Sequence, residues 1–107
     1  MALILFLDPQ REVRELFSHV ATRLGHEAVE TVGEEKPDVV VLEPSSRQEV
    51  RRARTLLERF PALAIVCASI HPPSRETREQ LDPVVHLIKP FPLVELERAL
   101  EAALAPR

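Results

Sequence analysis

The sequence predicts a doubly wound α/β fold, an open parallel sheet with helices on both faces. Three observations carry this prediction. Short continuous apolar runs, Ala2 to Leu7, Val39 to Leu42 and Ala64 to Ala68, have the pattern of strands covered on both sides. Between them, apolar residues recur three and four positions apart, as on amphipathic helices. Strands that alternate with helices along a chain imply right-handed parallel crossovers.

The elements follow in order. Ala2 to Leu7, "ALILFL", reads as the first strand and stops at Asp8-Pro9. Val13, Leu16, Phe17, Val20, Ala21 and Leu24 lie on one face of a first helix, with Asp8 as its cap, Pro9 in its first turn and Gly25 as its stop. Glu27 to Thr31 reads as a brief second strand and Val39 to Leu42 as a buried third. Ser46 and Glu49 have capping-box spacing, and Val50, Ala53, Leu57 and Phe60 continue a helix that ends at Pro61. Ala64 to Ala68 is the fourth strand, Ser74 to Leu81 a short polar helix and Val84 to Ile88 the fifth strand. Pro92 opens a last helix striped by Leu93, Leu96, Leu100, Ala103 and Leu104.

The 107 residues suit one domain, 1–107, with no repeat or low-complexity linker. A formal net charge of −3 gives no reason to expect nucleic acid or an anionic membrane as partner. No apolar run approaches the ~20 residues of a membrane span, and Met1-Ala2 lacks the basic start of a secretory signal, so a cytoplasmic location is expected. The single cysteine, Cys67, excludes an internal disulfide and a multi-thiolate zinc site. Gly25 and Gly33 are the only glycines, which leaves no glycine-rich phosphate loop. Arg47, Arg51, Arg52 and Arg54 crowd one helix, but Glu49 and Glu58 sit among them without interleaved aromatics, so the segment reads as a solvated face.

An open α/β sheet places its chemistry at the carboxyl ends of its strands. Asp8, Glu43, Ala68-Ser69 and Lys89 each follow one of the four clearest strands. That places Glu43, at the exit of the buried run "VVVLEPSS", at the functional edge of the sheet.

The segments "LILFLDPQREVRELF", "KPDVVVLEPS", "AIVCAS" and "HLIKPFPLVELERAL" together resemble the receiver domain of two-component response regulators over essentially the whole chain. The resemblance implies a flavodoxin-like strand order, 2-1-3-4-5. It also implies a phosphoryl-transfer pocket, with two acids after the first strand and an aspartate after the third to hold magnesium. That aspartate would accept the phosphoryl group, and a hydroxyl after the fourth strand and a lysine before a proline would bind the phosphate. Carried across, Asp8 matches the first acid, Glu43 the acceptor, Ala68 the hydroxyl, Lys89 the lysine and His86 the switch position usually held by an aromatic. The Lys89-Pro90 bond is a candidate for the cis form.

The departures all remove parts of one reaction. Pro9 stands where the second acid belongs, which leaves weak magnesium binding at best and no other cofactor. Glutamate is one methylene longer than aspartate and moves its carboxylate from the in-line position. Ala68 has no hydroxyl, and Ser69, one step along the strand, points to the opposite face by alternation. His86 reads as a packed or edge histidine, and Cys67 as a small buried hydrophobe.

A further departure is one of length. Only about seven residues separate Thr31 from Val39, where a parallel crossover ordinarily takes about a dozen or more. Extended, they reach ~24 Å against the ~19 Å required, so the helix between the second and third strands is expected to be shortened or missing. The face it would cover should expose apolar side chains.

The reading is therefore a degenerate receiver that is not an enzyme. It serves as a phosphorylation-independent interaction module for a protein partner in signalling, with Glu43 paired to Lys89. Homodimer formation is a further partner expectation. The competing readings are a working phosphoacceptor served by a histidine kinase and a structural dimerisation module.

Overall fold

The computed structural model describes residues 1–106. Five strands form one sheet: β1 (Leu3–Leu7), β2 (Glu27–Val29), β3 (Val39–Leu42), β4 (Ala64–Ser69) and β5 (Val85–Ile88). Their order is β2-β1-β3-β4-β5, and every neighbouring pair is parallel. The helices are α1 (Arg11–Arg23), α2 (Arg47–Arg59), α3 (Arg75–Leu81) and α4 (Leu93–Leu104). The predicted doubly wound order is present, β2 included, and no helix lies between β2 and β3.

Alternation along the strands divides the core into two layers. Ile4, Phe6, Val39, Val41, Val66 and Ala68 pack under α1 and α4, against Phe17, Val20, Leu96 and Leu100. Leu5, Leu7, Val40, Leu42, Ile65 and Cys67 pack under α2 and α3, against Ala53, Leu56 and Leu81. Both neighbours of every central strand side are occupied, which is why these strands read as unbroken apolar runs instead of alternating ones.

Helix ends differ in detail from the spacing-based expectation. α1 begins at Arg11, beyond Pro9, and its N-cap Gln10 makes no side-chain cap. Asp8 instead accepts a hydrogen bond from the Gln10 N–H at 2.8 Å, a local turn ahead of the helix. At the other end Gly25 has φ +85°, and the N–H groups of Gly25 and His26 bond Thr22 O and Ala21 O, a Schellman closure that needs the left-handed residue. Ser46 is the N-cap of α2 but makes no side-chain bond. Its own N–H donates to Glu43 O, so the reciprocal bond of a capping box has no donor left for Glu49. Glu49 is buried with Oε2 unpartnered among the described residues, and its Oε1 is 3.6 Å from Arg52.

Residues 30–38 make the crossover without a helix. Asp38 fastens its end to β1: the Leu3 N–H donates to Asp38 Oδ2 at 2.7 Å, and the Asp38 N–H donates to Leu3 O at 2.8 Å. The expected open apolar face is smaller than the missing helix implies. Leu5 and Leu7 are buried and Pro37 is buried within the loop. A cleft of about 450 Å³ remains beside Leu3, Val29 and the loop, with Val32 46% exposed. Thr31 and Val32 face Arg52, Thr55 and Leu56 of α2 across a second cleft. The irregular loop thus supplies part of the covering that a helix would have given and leaves these clefts beside it.

Candidate functional site

Three strand ends converge. Asp8 follows β1, Glu43 follows β3 with its N–H bonded to Leu7 O, and Lys89 follows β5 with its N–H bonded to Ser69 O at 2.8 Å. Lys89-Pro90 is cis. The next residue, Phe91, packs on Phe17 with ring centroids 5.8 Å apart, and Phe17 on Phe6 at 6.2 Å, so an aromatic chain ties the Lys89 segment to α1 and β1.

The Lys89 ammonium donates to Asp8 Oδ2 at 2.8 Å and to Glu43 Oε2 at 3.2 Å. Asp8 and Glu43 are only 5% and 7% exposed, and the Lys89 side chain 18%. The remaining carboxylate oxygens are also held. Asp8 Oδ1 takes the Gln10 N–H, and Glu43 Oε1 takes the Ser45 hydroxyl at 2.6 Å and the Ser45 N–H at 3.3 Å. Burial pushes the Glu43 pKa up, but hydrogen bonds from Ser45 and Lys89, the nearby Ser69 hydroxyl and the charge of Lys89 together hold it below the usual 4.5. Burial, helped by the Glu43 charge, pushes the Cys67 thiol up to about 12, which leaves it an inert core group.

The structure brings together Asp8, Glu43 and Lys89 and leaves Ala68 out. The Ala68 methyl belongs to the core under α4. The hydroxyl bonded within the site is that of Ser45, on Glu43 Oε1; the Ser69 hydroxyl accepts the His71 N–H at 3.1 Å and helps to lower the Glu43 pKa. Ser69 is the last residue of β4, in register with Ile88, and lines a cleft with Pro72, Ser74 and Thr77 beside α3, on the face opposite Ala68. Ser45 was missed, although a hydroxyl two residues after a carboxylate is the arrangement that closes a local side-chain turn. His86 lies on β5 and its Nε2 donates to His71 O at 3.0 Å, the role of an edge histidine.

Asp8, Pro9, Glu43, Ser45, His71 and Lys89 line a shallow cavity of about 250 Å³. Magnesium requires free oxygen ligands in octahedral array. These residues do not fit it, because every carboxylate oxygen already has a donor, an ammonium lies between the two acids, and Pro9 supplies no third. No group of three or more metal-binding side chains occurs among the described residues. No helix is long and apolar enough to cross a membrane.

No family model matches the chain, and no curated protein matches it in sequence. Solved structures do. The chemotaxis protein CheY4 of Vibrio cholerae superposes with a TM-score of 0.83 at 18% identity, covering 97% of this chain and 99% of that one. A two-component response regulator from Clostridium difficile gives 0.80 at 16% identity over 97% and 96%. The response regulator TrrA of Thermotoga maritima, solved in complex with Mg²⁺-BeF, gives 0.76 at 18% identity over 97% and 100%. The chain has the fold of response-regulator receiver domains.

Proposed function

We propose that the chain is a receiver-like regulatory module that binds a protein partner without being phosphorylated. The observation that carries this reading is the Lys89 ammonium, seated between Asp8 and Glu43 at 2.8 and 3.2 Å. Phosphoryl transfer relies on a metal to offset the charge on the moving group, and here a side-chain cation occupies that ground. Asp8, Glu43 and Lys89 then act as a fixed clasp across three strand ends. Desolvation offsets much of the attraction in such a clasp, so its value is in holding one conformation. Exposed Ile70, Ile88 and Val94, at the β4, β5 and α4 side, support that side as the partner surface.

The test is intact-mass spectrometry after incubation with acetyl phosphate and magnesium, with a phosphorylatable receiver alongside. The expected result is no adduct on this chain while the control is labelled. A second reading, a phosphoacceptor charged by a histidine kinase, is favoured by the Ser69 hydroxyl, which with Ser45 and Lys89 keeps the Glu43 carboxyl ionised by lowering its pKa. An adduct mapped to Glu43 or Asp8 would establish that reading instead.

A further inference from the structure

α2 carries five arginines, and two have partners in the chain: Arg52 lies 3.6 Å from Glu49, and Arg59 stacks over the Phe60 ring at 4.9 Å. Arg47, Arg51 and Arg54 pair with no carboxylate among the described residues. These three are the ones that line a groove of about 490 Å³ between α2 and α3. The opposite wall is polar and uncharged at Ser74, Thr77 and Gln80. Its one carboxylate, Glu76, is turned onto its own helix by a bond from Gln80 Nε2 at 3.2 Å. Val50 and Pro44 supply apolar surface within the groove.

We propose that this groove docks an acidic peptide segment of a protein partner. The proposal rests on the reading of the chain as a binding module and names the chemistry of what it binds. Positions 47, 51 and 54 lie on one helix face and span ~10 Å along the axis. A single phosphate cannot engage that length. Carboxylates at alternate positions of an extended peptide stand ~7 Å apart on one side and form a matching row, each suited to the planar guanidinium fork. Nucleic acid fits less well, since no aromatic side chain lines the groove for base stacking and the chain is net acidic.

The test titrates the whole chain with a fluorescein-labelled peptide of about eight residues alternating Glu and Leu, ~26 Å when extended. Fluorescence anisotropy reads affinity, and amide chemical shifts map the site. Shifts should concentrate on residues 47–54 and 74–80. Arg51→Glu and, separately, Arg54→Glu should weaken binding about ten-fold while leaving the far-UV spectrum unchanged, both positions being exposed. A Lys-Leu peptide of equal length should not bind. Absent binding, shifts elsewhere, or affinity in both variants unchanged from the parent overturns the proposal. Tighter binding of a single-stranded oligonucleotide at the same arginines overturns it in favour of nucleic acid. None of these outcomes alters the acetyl phosphate result, so failure of the groove and failure of the unphosphorylated reading are told apart.

Discussion

Lys89 sits between two buried acids and bonds both. Removing its charge leaves Asp8 and Glu43 facing across a desolvated pocket, and breaking a buried pair in this way costs about 3 kcal/mol. Lys89→Met should therefore destabilise the protein by about that amount at pH 7 in urea denaturation. The pH dependence gives the sign. Glu43 has its pKa lowered by folding, so its contribution is present above its unfolded value of 4.5 and is lost as pH falls through the lowered folded value. In Lys89→Met the two acids repel, and taking up a proton relieves them. The gap between variant and parent should narrow on acidification toward pH 4.5, and a gap constant with pH would contradict the clasp. At this scale Asp8, Glu43 and Lys89 were legible because each follows an apolar strand. Ser45 was not, since its bonds to Glu43 belong to a local turn that carries no periodic signal.

Elements were legible where one period dominates. β3 reads as four consecutive apolar residues because all four are buried, and it occupies the stretch expected from them. The start of α1 was misplaced because Asp8 and Pro9, good cap residues by type, are committed to a turn that aims Asp8 at Lys89. Its end was placed correctly because a glycine at φ +85° answers a backbone need that side-chain pattern cannot hide. Nothing lies within 4 Å of a Cβ built there, so Gly25→Ala meets backbone strain alone. We expect a loss of about 1 kcal/mol, measured as a lower chemical denaturation midpoint with an unchanged m-value. A loss above about 3 kcal/mol would mean that packing at this turn, and not only its φ, had changed.

Across the whole molecule, stability should be graded from the sheet centre outward. β1, β3 and β4 are buried on both faces, whereas β2 is a three-residue edge strand with one exposed and two half-buried residues, beside a loop that is mostly exposed. Native-state hydrogen exchange should find the slowest amides in β3 and β4 and fast, sub-global opening across residues 27–38. Protection of that segment equal to β3 would mean that the loop covers the sheet as firmly as a helix. The exposed apolar face anticipated there was overestimated. Length arithmetic correctly removed the helix, but it could not foresee that Pro37 would turn inward.

The helix-free crossover has a consequence for how the chain finds its fold. Bringing β3 beside β1 closes a loop whose entropic cost grows only with the logarithm of its length, by about 0.6 kcal/mol per doubling. Omitting a helix therefore shortens the search very little, while it gives up part of the burial that a helix contributes. The omission is one that the sheet withstands without gaining speed or strength from it. What lets the sheet withstand it is β3 itself, sealed on both faces by α2 and by the helices opposite.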